Sequence, residues 1–333
     1  MRTYVKKRPE IAVIGAGMAA IAFASRFRKL ANISVFEKSR GTGGRMATRR
    51  ADPFSFDHGA QYFTNRTEAF HDFLQPSLNR GIVKPWSARF ATISESGDIR
   101  EFNRSEVAWV GVPAMNAVAK QYAQDFKLHL SQQIVRLDGG PGNWRLYCAE
   151  GENLGPFDWV VLTAPAPQTA NLLPDRFSGI ERVQTAQLTP CFTMMLGFES
   201  QVDLPFDAAS VKHRQLSCIA ANQSKPDRAQ ATCLTVHASN EWSAQNLERD
   251  RQEVFEDLKS AVHGILPIKL PEPSYATVHR WRYANVSVPA GENFLLDDNL
   301  QIAACGDWCI GGRVEAAFTS GHELAHAIGE VLA

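Results

Sequence analysis

One strand–turn–helix–strand signature near the N-terminus constrains this chain more than any other feature. Ile11-Ala12-Val13-Ile14 is a short apolar run that reads as a buried parallel strand, and it passes directly into Gly15-Ala16-Gly17-Met18-Ala19-Ala20, a G-x-G-x-x-A turn. Gly15 makes the tight turn, Gly17 lets a pyrophosphate approach the backbone, and the small Ala20 lets helix and strand pack closely. A helix from about Met18 to Leu30 then points its first N–H groups, those of Met18 and Ala19 among them, and its positive dipole end at the phosphates. The second strand, Ile33 to Phe36, ends in Glu37, where an acid accepts hydrogen bonds from ribose hydroxyls. Glycine triplets alone are weak evidence, but this order and spacing specify a Rossmann-type dinucleotide site.

Directly after the acid comes Lys38-Ser39-Arg40-Gly41-Thr42-Gly43-Gly44-Arg45, a second glycine-rich turn where a simple NAD domain would proceed to its next helix. Gly43 and Gly44 permit positive φ and close approach, Arg45 or Arg40 is the candidate to neutralise a pyrophosphate, and Lys38 is expected among the cofactor-binding residues. Here the sequence resembles the flavin amine oxidase superfamily, which implies non-covalent FAD. The resemblance also gives a role to Gly306-Asp307, which follows an apolar strand over 300–305. The aspartate is expected on a ribityl hydroxyl. A helix opening at Gly311-Gly312-Arg313, with Val314, Glu315 and Ala316 in its first turn, is expected to face the flavin edge that gains negative charge on reduction.

Because cofactor motifs lie near both ends, the expected architecture is α/β: a discontinuous Rossmann-type FAD-binding domain of the p-hydroxybenzoate hydroxylase-like type, carrying an inserted mixed-sheet substrate domain. The FAD-binding domain is expected over 1–70, 106–168 and 276–333, and the substrate domain over 71–105 and 169–275. Strands are expected at 158–163, 193–198 and 233–237, a hairpin at 133–137 and 143–147, and a helix over 248–263. By resemblance, Ile134 meets the adenine through its backbone.

Composition excludes several classes. The 35 basic and 35 acidic residues balance, so no global field draws nucleic acid or an anionic membrane. The six cysteines form no C-x-x-C pair, which removes a zinc site or dithiol motif and, with the lack of a second fingerprint, a disulfide reductase. No metal site is expected. The basic run at 6–8 before an apolar segment imitates a secretory signal, but that segment is the fingerprint itself, and a cytoplasmic chain is the plain expectation.

Several runs resemble the renalase family: Glu37 to Met46, Asp57-His58-Gly59-Ala60-Gln61-Tyr62-Phe63-Thr64, Trp109-Val110-Gly111, His279 to Tyr283 and Cys305-Gly306-Asp307-Trp308-Cys309. The chain departs from it in a basic stretch before Ile11 and in a middle lobe without a residue-by-residue match. The resemblance implies oxidation of misreduced dihydro-NAD(P) isomers, with hydride at ring position 2 or 6, by molecular oxygen. His58, Gly59, Ala60, Gln61 and Tyr62 are expected at the flavin. Gln61, Tyr62, Arg66, His237, Trp242, Trp281 and Tyr283 are the candidates for the substrate, although Trp242 and Trp281 read as easily as core packing. A flavin-containing amine oxidase is the alternative; its usual lysine near the flavin is not identifiable in the sequence. A flavin-bound protein that hardly turns over is the non-enzymatic alternative.

Overall fold

The computed structural model describes residues 7–333, so Met1 to Lys6, with the first lysine of the basic run, lie outside the described residues. The chain forms two compact units, one of residues up to 44, 119–188 and 286–333, the other of 45–118 and 189–285. Compactness thus draws the division elsewhere than the motifs suggest. Residues 45–70 join the second unit because the hairpin Thr48–Ala51/Phe54–Asp57 packs Phe54 and Phe56 with Met195 and Cys233. Residues 276–285 join it as part of the long strand Tyr275–Val288. Residues 169–188 join the first unit, where Leu173, Phe177 and Val183 share a core with Ala12 and Ile14.

The first unit is built on a six-stranded sheet in the order Leu295–Asp297, Ile302–Ala304, Trp159–Leu162, Glu10–Ile14, Asn32–Glu37, Lys127–Leu130, parallel except for its first pair. Glu10–Ile14 is central and covered on both faces, which is why its sequence is an unbroken apolar run. Ile11 and Val13 pack into one cluster with Phe23, Phe27 and Leu324, while Ala12 and Ile14 pack into another with Leu146 and Trp308, the two-residue alternation of a strand. The helices Met18–Phe27 and Val314–Leu332 lie on the first face. They approach so closely that a Cβ on Gly321 would stand 2.1 Å from the Ala19 carbonyl oxygen. The expected hairpin is Ile134–Asp138 with Trp144–Cys148, extended by a third strand, Asn153–Phe157.

The second unit contains a seven-stranded sheet in the order Tyr275–Val288, Gln187–Phe198, Thr232–Ala238, Leu216–Ala221, Ala208–Val211, Phe90–Ile93, Ile99–Glu101. Its observed pairings are antiparallel except Ala208–Val211 with Phe90–Ile93, so the sheet is mixed. The helix Arg251–Ile265 begins three residues later than expected because Asp250 caps it, its side chain accepting from the Gln252 N–H at 2.7 Å. Val254, Leu258 and Val262, spaced by four, enter the same core as Phe192, Met194 and Leu234.

Candidate functional site

In the first unit the fingerprint turn sits at the carboxyl end of Glu10–Ile14, where sequential strands depart to opposite sides, Asn32–Glu37 to one and Trp159–Leu162 to the other. That switch point is where open α/β sheets bind nucleotides. Gly15 has φ +106°, and a Cβ there would lie 2.6 Å from Thr163 Oγ1, so only glycine serves. Gly17 caps the helix with no side-chain hydrogen bond, and a Cβ on it would meet nothing within 4 Å. The helix start therefore opens onto space with the N–H groups of Met18 and Ala19 near it, a cradle that fits a pyrophosphate. The second glycine turn closes on the first: Gly43 donates its N–H to the Ala16 carbonyl at 2.9 Å, and a Cβ on Gly44 would come within 3.5 Å of Gly17 Cα.

Glu37 is buried, and its two carboxylate oxygens accept from the backbone N–H of Ala16, at 2.9 Å, and of Ser39, at 2.8 Å. It fastens both turns together and retains lone pairs for a ribose. Lys38 and Arg40 are exposed beside it. Ile134 is buried at the head of its strand.

The late Gly-Asp-Trp run has a local logic. A Cβ on Gly306 would stand 2.6 Å from the Trp308 indole nitrogen, so the tryptophan requires the glycine, and the indole N–H donates to the Ala164 carbonyl at 3.0 Å. Asp307 is buried, and Gly306 donates its N–H to Ser320 Oγ at 2.9 Å, tying this turn to the final helix. That helix starts at Val314, with Glu315 and Ala316 buried in its first turn and no side-chain cap at Arg313. Its N-terminal amides suit a group that becomes anionic. Cys305 and Cys309 are buried free thiols, and burial pushes the Cys309 thiol up to about 12.

The second unit holds the remaining candidates. Arg45 donates to the Ala284 carbonyl at 3.0 Å. Ala60 donates its N–H to the Arg45 carbonyl at 2.9 Å. His58 stacks on Trp281 with centroids 5.0 Å apart, and His279 meets both rings edge-on. The Trp281 indole N–H fixes this arrangement by donating to the His58 carbonyl at 3.0 Å. His279, Trp281 and Tyr283 alternate along Tyr275–Val288 and so share one face. Gln61 Nε2 lies 3.4 Å from His237 Nε2.

All three imidazoles are held neutral at pH 7. Burial lowers His58 to about 4, helped by the Arg49 charge; burial and Lys225 lower His237 to about 4; burial, His58 and Arg49 lower His279 to about 3.

The structure does not gather every candidate into this group. Trp242 is core, with Phe192 at 6.1 Å, which explains its place in the sequence by packing. Arg66 pairs bidentately with Glu106 at the surface and lines a depression of about 420 Å³ with Thr64, His71 and Trp109. The Tyr62 hydroxyl accepts from Arg104 at 2.7 Å, and its ring packs near Trp86 and Phe90.

Sequence reasoning missed a buried charge cluster beneath this face. Asp57 Oδ2 accepts from Arg228 at 2.7 Å and from Lys225 Nζ at 3.1 Å, while Oδ1 accepts from Thr48 at 2.6 Å and the Met115 N–H at 3.0 Å. Burial alone would raise the Asp57 pKa, but the two cations and these hydrogen bonds hold it well below the usual carboxylate range. The three charged side chains are all essentially inaccessible. Asp57 precedes His58 in the sequence, yet nothing in the loop around Lys225, 168 residues away, marks it as a partner.

Among the described residues no group of His, Cys, Asp and Glu is placed to hold a metal ion, and no helix is long and apolar enough to cross a membrane.

Residues 66–329 match the family of flavin-containing amine oxidoreductases, and residues 13–76 match an NAD(P)-binding Rossmann-like domain. Renalase of Mus musculus is 24% identical over 301 residues, spanning 83% of this chain and 85% of that protein. Among solved structures, a protein from Exiguobacterium sp. 255-15 provisionally assigned as a protoporphyrinogen oxidase superposes with a TM-score of 0.78 at 13% identity, covering 98% of this chain and 99% of that one. Wild-type putrescine oxidase bound to putrescine gives 0.69 at 12% identity, with 97% and 99% covered. The glycine cradle, the Glu37 clasp and these matches lead to one assignment: the chain belongs to the flavin-containing amine oxidoreductase family, as a renalase-like, FAD-dependent oxidoreductase.

Proposed function

We propose that the protein oxidises dihydro-NAD(P) isomers whose hydride sits at nicotinamide ring position 2 or 6, giving NAD(P)+ and hydrogen peroxide. The observation that carries this reading is the neutral, aromatic face formed by His58, His237, His279 and Trp281 next to Gln61. A dihydropyridine is already a strong hydride donor, so its oxidation needs a flat platform and carboxamide partners more than an acid or base. Uncharged imidazoles and an indole also tolerate the pyridinium that forms, which a protonated histidine would repel. The renalase-type runs at Gly59–Phe63 and Gly306–Trp308 support the same substrate.

FAD, when bound, would supply a hydride acceptor whose electrons oxygen could take up. Of the chain's residues, we assign Gly15, Gly17, Met18, Ala19, Glu37, Gly44, Ile134, Asp307 and the Val314–Ala316 turn to holding it, with Lys38, Arg40 and Arg45 offsetting phosphate charge. His58 to Tyr62 are assigned to its redox end. Gln61, His237, Trp281 and Tyr283 are assigned to orienting the substrate ring. In balance, the substrate gives one hydride and solvent one proton to each oxygen molecule. A mixture of dihydronicotinamide isomers incubated with the holoenzyme in air should lose its 2- and 6-dihydro components, gain one NAD+ and one peroxide for each, and keep its 4-dihydro component. No oxygen uptake with that mixture would contradict the reading.

One observation favours oxidation of an amine instead. The described residues include a buried lysine, Lys225, which the sequence did not single out, and amine oxidases of the superfamily usually carry a lysine near the flavin.

A further inference from the structure

Gln61 is only 7% exposed, and its carboxamide is engaged at both ends. Nε2 donates to the Asp57 carbonyl at 2.5 Å and to the Gly59 carbonyl at 3.1 Å, while Oε1 accepts from Lys225 Nζ at 3.1 Å. Two carbonyls on one side and an ammonium on the other leave a single amide orientation, because the flipped form would face oxygen with oxygen and N–H with N–H. Lys225 cannot drift: Asp57 accepts from the same Nζ, the Trp86 ring lies 5.3 Å away, and Arg228 holds the other side of Asp57. The lysine thus joins two stretches far apart in sequence, the loop at 222–228 and the 57–61 turn.

We infer that Lys225 is a positioning residue: clamped by Asp57, it locks the Gln61 carboxamide and through it sets the pose of the His58–Tyr62 segment. Its importance for turnover rests on the reading above, in which that segment serves flavin and nicotinamide. The lock itself does not. Replacing Lys225 by methionine keeps a similar stem, leaves Arg228 to neutralise Asp57 and frees Oε1; Lys225→Gln retains a donor for Oε1 without the charge.

The test uses holoenzyme with 15N-labelled glutamine. The Gln61 NH2 protons should exchange with solvent roughly tenfold faster in Lys225→Met than in wild type, about the factor a hydrogen bond to a charged group is worth, with Lys225→Gln in between. In a double-mutant cycle read by the rate of anaerobic flavin reduction, Lys225→Met should cost rate in the wild-type background and add little to Gln61→Ala, whereas a merely structural lysine would give additive losses. Unchanged exchange in Lys225→Met, or additivity in the cycle, would overturn the inference. Should Lys225→Met fail to fold, the wild-type spectrum decides, since rapidly exchanging Gln61 protons there are incompatible with a lock. A wild-type flavin that no dihydronicotinamide reduces would instead overturn the proposed function, leaving the exchange measurement to judge the lock.

Discussion

The backbone of Ala60 donates to the carbonyl of Arg45 at 2.9 Å, and the neighbouring Gly59 lies so close that a Cβ on it would stand 1.9 Å from the same oxygen. The renalase-type run is thereby pinned against the chain that emerges from the second glycine turn. Gly59→Ala must push the two backbones apart, with an expected loss of about 1–3 kcal/mol in urea unfolding, the usual scale for overpacking. A wild-type midpoint would show that the contact can yield at no cost.

Gly17 makes the opposite case. Its absent side chain would meet open space within the protein, so Gly17→Val should keep a near-wild-type unfolding midpoint as apoprotein yet purify with little FAD. Glu37→Ala removes the acceptor shared by the Ala16 and Ser39 amides and should weaken FAD binding by about 1.5–3 kcal/mol. Titration of either apoprotein with FAD checks this, and wild-type affinity in both would remove the cradle from the cofactor.

Much of the first unit was legible in the sequence because its constraints are local: consecutive residues build the strand, the turn and the acid, and Gly15 answers to a backbone conformation and a contact with Thr163 that no other residue permits. Long-range pairings were not legible. Lys225, in a loop, meets Asp57, at the end of the strand Phe54–Asp57, across 168 residues; Asp57 opens a family-like run, but no period or motif marks Lys225 as its partner. The compact units follow packing rather than motif for a related reason. Residues 45–70 were expected with the FAD-binding segments from their motifs, whereas Phe54 and Phe56 pack with Met195 and Cys233 within the second unit, a contact that the local sequence does not encode. Trp242 shows the converse, an aromatic candidate whose spacing could not distinguish a pocket from a core.

Acid should destabilise the protein before its carboxylates titrate. His58 and His237 are lowered to about 4 and His279 to about 3, against about 6.5 in the unfolded chain. Between these values the unfolded chain binds more protons, so stability is complete above about pH 6.5 and lost as pH falls towards 4. The urea midpoint at about pH 5 should lie below that at about pH 7, with net proton uptake on unfolding. A flat or rising midpoint would mean that the three imidazoles are charged in the fold.

FAD should leave without a covalent trace. Cys305 and Cys309 are buried, with thiol pKa values pushed far above neutrality, so neither supplies a thiolate. Acid precipitation should leave the yellow chromophore in the supernatant, and colour retained on the pellet would contradict this.

The central claim is best tested by anaerobic stopped flow, mixing holoenzyme with each dihydronicotinamide isomer and with a panel of substituted amines. The account predicts rapid bleaching of the oxidised flavin by the 2- or 6-dihydro isomer. With the 4-dihydro isomer it predicts bleaching slower by roughly a hundredfold or more, because a misplacement of about 1 Å costs that much. Bleaching by amines, with none by the misreduced isomers, would contradict it and favour the amine-oxidase alternative.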